Sequence, residues 1–139
     1  MAIVQKTLSI TTHQRGTQNI TSIIDDLVKN AGIQTGLCHV FIQHTSASLI
    51  ITENADPTVC SDIETWMQHH ILDADPKYRH DYEGDDDMSG HLRTIMTDTS
   101  HSIPITNGRL NLGIWQGLFL YEHRTGSFER TLVVTIQGE

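Results

Sequence analysis

Leu37-Cys38-His39-Val40-Phe41-Ile42-Gln43-His44-Thr45-Ser46-Ala47-Ser48-Leu49-Ile50-Ile51-Thr52 is the stretch whose reading decides the fold. An apolar run ends in a histidine. Small residues follow, with hydroxyls on Thr45, Ser46 and Ser48, and a second apolar run leaves on the far side. Two strands joined by a tight bend fit this pattern. On the first, Cys38, Val40, Ile42 and His44 share one face and Leu37, His39, Phe41 and Gln43 the other. Both faces are largely apolar, which predicts a strand central in its sheet. The bend is either an ordinary turn with a surface histidine or one wall of a site completed from later in the chain.

On the amino-terminal side, alternation over Ile3 to Thr12 predicts a strand. Arg15-Gly16 turns the chain. Ile20, Ile23, Ile24, Leu27 and Val28 recur at helical spacing, with Asn19 or Thr21 to cap the start and Gly32 to end the helix. After the bend, Asp56-Pro57 reads as a helix start. That helix runs to about Ile71, with Val59, Ile63, Trp66, Met67, His70 and Ile71 at helical spacing.

Asp73 to Asp87 is polar and aperiodic. A loop of that length in a compact domain is usually functional or disordered, and Tyr78 and Tyr82 favour anchoring. A short helix from Gly90 to about Met96 follows, with Leu92, Ile95 and Met96 inward. Asn107-Gly108 is a strong hairpin signal, and strands are expected over 113–122 and 128–136. This order predicts an α+β fold in a single domain, 1–139: a large mixed or antiparallel β-sheet with two main helices and one short one.

The chain has 139 residues, with 17 acidic side chains against 9 Lys and Arg, a formal charge of −8. That balance argues against nucleic acid or an anionic membrane surface as partner. The start, Met1 to Lys6, lacks the pattern of a signal peptide, and no apolar run approaches the roughly 20 residues that span a bilayer. Cys38 and Cys60 form no CxxC pair and read as reduced, buried thiols. A cytoplasmic location is expected.

His44 at a strand end, His80 in the polar loop and His91 at a helix start are the candidate metal ligands. Neutral imidazoles suit zinc and similar ions, and neighbouring carboxylates orient them. Glu83 to Asp87 reads either as a solvated loop or as oxygens for Mg²⁺ carrying a substrate phosphate. Thr45, Ser46, Ser48, Asn54, Asp56, Arg109 and Arg124 are candidate substrate-binding groups. Asp56 also has a simpler role as a helix cap. His44, Glu83 and Asp87 are the candidate catalytic residues. Nothing resembles a GxSxG or Walker loop, so covalent catalysis is disfavoured.

Four collinear motifs carry a family resemblance: Gln43 to Leu49, Glu53-Asn54-Ala55-Asp56-Pro57-Thr58-Val59, His80 to Leu92, and Gly108-Arg109-Leu110 with Gly113-Ile114-Trp115-Gln116-Gly117. Together they make the chain similar to the YjbQ family. Ser89-Gly90, before His91, departs from the Pro or small pair expected there. The resemblance implies an α+β domain with a large mixed sheet, a homotrimer, and metal binding at His44, His80 and His91. It also implies a secondary thiamine-phosphate synthase activity on small phosphorylated metabolites. Alternatives are a non-catalytic trimeric small-molecule or metal-binding protein and a metal-dependent hydrolase.

Overall fold

A computed structural model describes all 139 residues. The elements are β1 (Ala2–Thr12), β2 (Gly16–Asn19), α1 (Thr21–Ala31), β3 (Thr35–Ile42), β4 (Ala47–Glu53), α2 (Pro57–His70), α3 (Asp87–Met96), β5 (Ser100–Thr106), β6 (Arg109–Leu110), β7 (Gln116–Glu122) and β8 (Phe128–Gly138). The strands form two sheets instead of one. A five-stranded sheet runs β1-β8-β3-β5-β6 and a three-stranded sheet runs β2-β7-β4. Every pairing in them is antiparallel. The chain is therefore α+β, with the antiparallel strands divided between two sheets.

β3 holds the middle place of the larger sheet. Cys38, Val40 and Ile42 point inward and join Leu49, Leu118, Leu120, Leu132, Val134 and the α1 residues Ile24 and Val28 in one core. The outward face of β3 stays open: Leu37 is 43% exposed and Phe41 41%. A smaller cluster of Met67, Ile71 and Tyr121, with Ile63 and Leu92 against it, seats α2 and α3 on the outer face of the three-stranded sheet.

Local signals hold where chemistry forces them. Asn107 and Gly108 both have positive φ, 53° and 76°, as the tight hairpin turn requires. Gly32 ends α1 in the left-handed conformation, and Asp56 caps α2 by accepting from the Thr58 N–H. The short strand β2 lies where only a turn was expected.

Two helix faces differ from expectation. Trp66 is 46% exposed and stacks on His70, one helical turn away, with ring centroids 4.1 Å apart. α3 begins at Asp87, three residues before the expected Gly90, and keeps only Leu92 of its expected inward face: Ser89, Gly90, Arg93 and Thr94 are buried while Ile95 and Met96 are exposed. The cause is polar. Arg93, fully buried, donates to both oxygens of Glu64 at 2.7 and 3.2 Å, and the Tyr121 hydroxyl donates to the same carboxylate at 2.6 Å. A bidentate charged pair sets the helix rotation that the apolar residues did not.

Candidate metal centre

Three segments meet at the amino-terminal end of α3: the β3–β4 bend, the loop between α2 and α3, and the β7–β8 turn. The loop is ordered by its own side chains. Tyr78 donates its hydroxyl to the Leu72 carbonyl, Asp73 accepts from Arg15 and from Ser89, and Ala74 N–H bonds the Asp85 carbonyl. Tyr82 is 78% exposed and sets its ring edge-on to His80 at 5.0 Å, so it anchors nothing to the body.

This packing brings His80, Asp87 and His91 together, with one ligand atom from each all within 4.8 Å of one another. Asp87 Oδ2 lies 2.7 Å from His80 Nε2 and 3.0 Å from His91 Nε2. Asp87 and His91 stand four residues apart on one helix face, and the loop returns His80 to the same point. His91 Nδ1 donates to the Thr45 carbonyl at 2.8 Å, which aims Nε2 at the cluster. Either a proton or a metal ion between Nε2 and the carboxylate satisfies that geometry. Asp87 is buried, which pushes its carboxyl up, but the His80 bond with the charges of His91 and Arg124 brings it below the ordinary carboxylate range. Two imidazoles and a carboxylate with open sides are a donor set that fits a divalent ion of the zinc kind.

His44 stands outside this group. Its Nε2 accepts the Thr131 N–H at 2.8 Å, and its Nδ1 lies 3.3 Å from Arg130 Nη1. Burial and then the Arg130 charge, against Glu122, push its pKa down. The converging triad is thus completed by Asp87 in place of His44. The reason is that β8 runs beside the end of β3 and occupies Nε2 with the Thr131 N–H. His44 still lines, with Thr45, His91, Thr94, Ile95 and Thr99, an open cleft of about 420 Å³ beside the cluster.

The other expected binding groups are mostly structural. Ser46 accepts from Arg130, which is itself paired with Glu122 beneath the bend. Ser48 is fully buried, bonded to His123 Nε2 at 2.8 Å and to Thr97 at 2.7 Å. Asn54 ties down the turn before β7 through the carbonyls of Ile114 and Gln116. Arg109 pairs with Asp25 on α1. Arg124 donates to the Glu83 carbonyl at 2.7 Å and to Asp86 at 3.1 Å, so it braces the loop and has no free fork for a substrate. Glu83 is exposed on that loop.

Beneath the site lies a buried polar layer that pattern reading missed. His123 is fully buried, and burial together with Arg93, Arg15 and Arg130 lowers its pKa to about 3. Its Nδ1 and the Nε of Arg93 find no protein partner. The Asp87-x-x-x-His91 spacing is the sequence signal that makes Asp87 a fellow ligand of His91, and it is readable only with the helix start at Asp87.

An antiparallel two-sheet α+β protein carrying a His-Asp-His cluster at a helix start is the class that this fold and site define. The family described as UPF0047 protein YjbQ-like matches residues 6–139, and the chain belongs to it. UPF0047 protein sll1880 of Synechocystis sp. is 47% identical over 97% of this chain and 92% of its own. UPF0047 protein YjbQ of Escherichia coli O157:H7 is 42% identical over 97% and 98%. The conserved hypothetical protein TT1486 of Thermus thermophilus superposes with a TM-score of 0.84 at 31% identity, over 95% and 99% of the two chains. These likenesses carry the fold; they carry no reaction.

Proposed function

We propose that His80, Asp87 and His91 hold a divalent metal ion, and that the chain joins two small phosphorylated metabolites in the manner of a thiamine-phosphate synthase. In that reaction the ring nitrogen of a thiazole phosphate forms a bond to the methylene carbon of a pyrimidine-methyl diphosphate. The carbon–oxygen bond breaks and pyrophosphate leaves with its electron pair. When bound, the ion supplies the positive charge that a departing pyrophosphate needs. The observation carrying this reading is the convergence of the three ligand atoms within 4.8 Å.

The chain's own residues have defined parts. The Thr45 carbonyl fixes the tautomer of His91. The cleft of His44, Thr45, Thr94, Ile95 and Thr99 has no carboxylate, lysine or arginine in its lining, which suits an uncharged heterocycle. Substitution by a ring nitrogen requires no proton removal, so His44 serves as a wall and Glu83 has no required proton to move. An acidic run that recruits Mg²⁺ with pyrophosphate remains compatible with Asp81 and Asp85, which line a second recess beside His80.

One observation favours the non-catalytic metal-binding alternative. Arg15, Arg93, Arg124 and Arg130 are each paired with a carboxylate, so among the loop and site arginines only Arg79, exposed next to His80 in sequence, is left for a substrate phosphate. The deciding experiment incubates protein loaded with zinc, then with magnesium, with both substrates and follows thiamine phosphate and pyrophosphate. Product from the wild type and its loss in His80→Ala and His91→Ala support the synthase. One equivalent of bound metal without product supports the binding protein. Phosphate release from simple monoesters would point to a hydrolase.

A further inference from the structure

The β7–β8 turn sends one arginine into the loop that separates the two histidines of the cluster. Arg124 Nη2 donates to the Glu83 carbonyl at 2.7 Å and to Asp86 Oδ1 at 3.1 Å, while Nη1 lies 3.5 Å from Asp87 Oδ1. The guanidinium sits over the Phe128 ring, 5.0 Å from its centroid. Its stem lies against α3: a β-carbon placed at Gly90 would stand 3.7 Å from Arg124 Cγ. One planar fork thus grips a backbone carbonyl and two consecutive side chains between His80 and His91.

We propose that Arg124 is a positioning residue for the metal site, holding Asp87 Oδ1 so that Oδ2 alone is presented to the ion. This rests on the reading of His80, Asp87 and His91 as ligands. Asp87 Oδ2 is the oxygen that meets both imidazoles, and Oδ1 faces only the guanidinium among the charged groups around it. Without that hold the carboxylate is free to rotate and offer both oxygens, and the Glu83 carbonyl loses its donor, while Thr125 still holds Asp86 through its N–H and hydroxyl. Simple charge repulsion of the ion is the lesser effect, because Asp86 already neutralises the guanidinium at 3.1 Å. The fork geometry matters, so lysine does not replace it.

The test is titration of the metal-free full chain with Co²⁺ and with Zn²⁺, comparing wild type, Arg124→Lys and Arg124→Gln, with melting curves to confirm folding. Asp25→Asn, which breaks the remote Arg109 pair, controls for general loss of stability. Both Arg124 variants are expected to bind about tenfold or more weakly, the scale typical of groups that orient a ligand. Their Co²⁺ visible bands should also change in intensity as Asp87 moves from one-oxygen to two-oxygen ligation, while Asp25→Asn matches wild type in both readouts. If Arg124→Gln does not fold, Arg124→Lys, which keeps charge and stem, reads the same expectation. Unchanged affinity and spectrum in the variants would overturn the positioning role alone, and so would tighter binding by Arg124→Gln, which marks a repelling charge. Absence of binding by wild type would remove the metal site and this role together.

Discussion

At the scale of single residues, the polar layer under the site has a measurable consequence through His123. Unfolded histidine titrates near 6.5, whereas in the fold burial first, then the nearby arginines, lowers His123 to about 3. The folded state accepts the neutral ring, so its contribution is complete above about pH 6.5 and is lost as pH falls towards 3. Denaturant melts from pH 7 to pH 4 should therefore show stability declining by at most about 1.4 kcal/mol per pH unit from this group. His123→Gln should flatten that part of the profile; an identical slope in the variant refutes the assignment. Glu64 and Asp73 act at lower pH. Burial raises both carboxyls, but Arg93 with Tyr121 and Arg15 with Ser89 hold them below the ordinary range, so their share is complete above the ordinary carboxylate range and is gone once pH has fallen through the lowered values.

At the scale of elements, β3 and β8 meet through two glycines. Gly36 opposes Gly138, and a β-carbon on Gly36 would overlap the Gln137 carbonyl. The clash is with backbone, which has no rotamer to relieve it. Gly36→Ala should destabilise the chain by about 2 kcal/mol or more, read as a lower midpoint in urea. A variant as stable as wild type would mean that the strands separate locally at no cost. α3 makes a second point at this scale. Its periodicity put Leu92, Ile95 and Met96 inward; Leu92 is, yet the Arg93–Glu64 pair and the close approach of Gly90 to Ser46, 3.2 Å from an added β-carbon, turn the polar side in and leave Ile95 and Met96 out.

For the whole molecule, no helix is long and apolar enough to cross a membrane. Several large apolar side chains are left on the surface: Leu37 and Phe41 on β3, Ile95 and Met96 on α3, and Ile114 and Trp115 before β7, where Trp115 is 61% exposed. We infer that self-association covers part of this surface, the homotrimer implied by the resemblance being the expected form. Sedimentation equilibrium should give about three times the 15.6 kDa chain mass. A concentration-independent single-chain mass would rule the trimer out.

The residues alone determined the elements whose cause is local. The Asn107-Gly108 turn, the Gly32 and Asp56 caps and the central place of β3 each lie where the pattern put them, although only the inward face of β3 is buried. His80 and His91 were recognisable as candidates from chemistry and position. Tertiary structure decided which groups share a point. His44 and His91 are far apart in sequence, and only the docking of β8 beside β3 puts the Thr131 N–H on His44 Nε2 and leaves its place in the cluster to Asp87. The packing of α3's end and the β7–β8 turn against the bend took Ser48 into the interior and Arg124 onto Asp86. Hydrogen-bond partners distant in sequence leave no period to read, and they assembled this site.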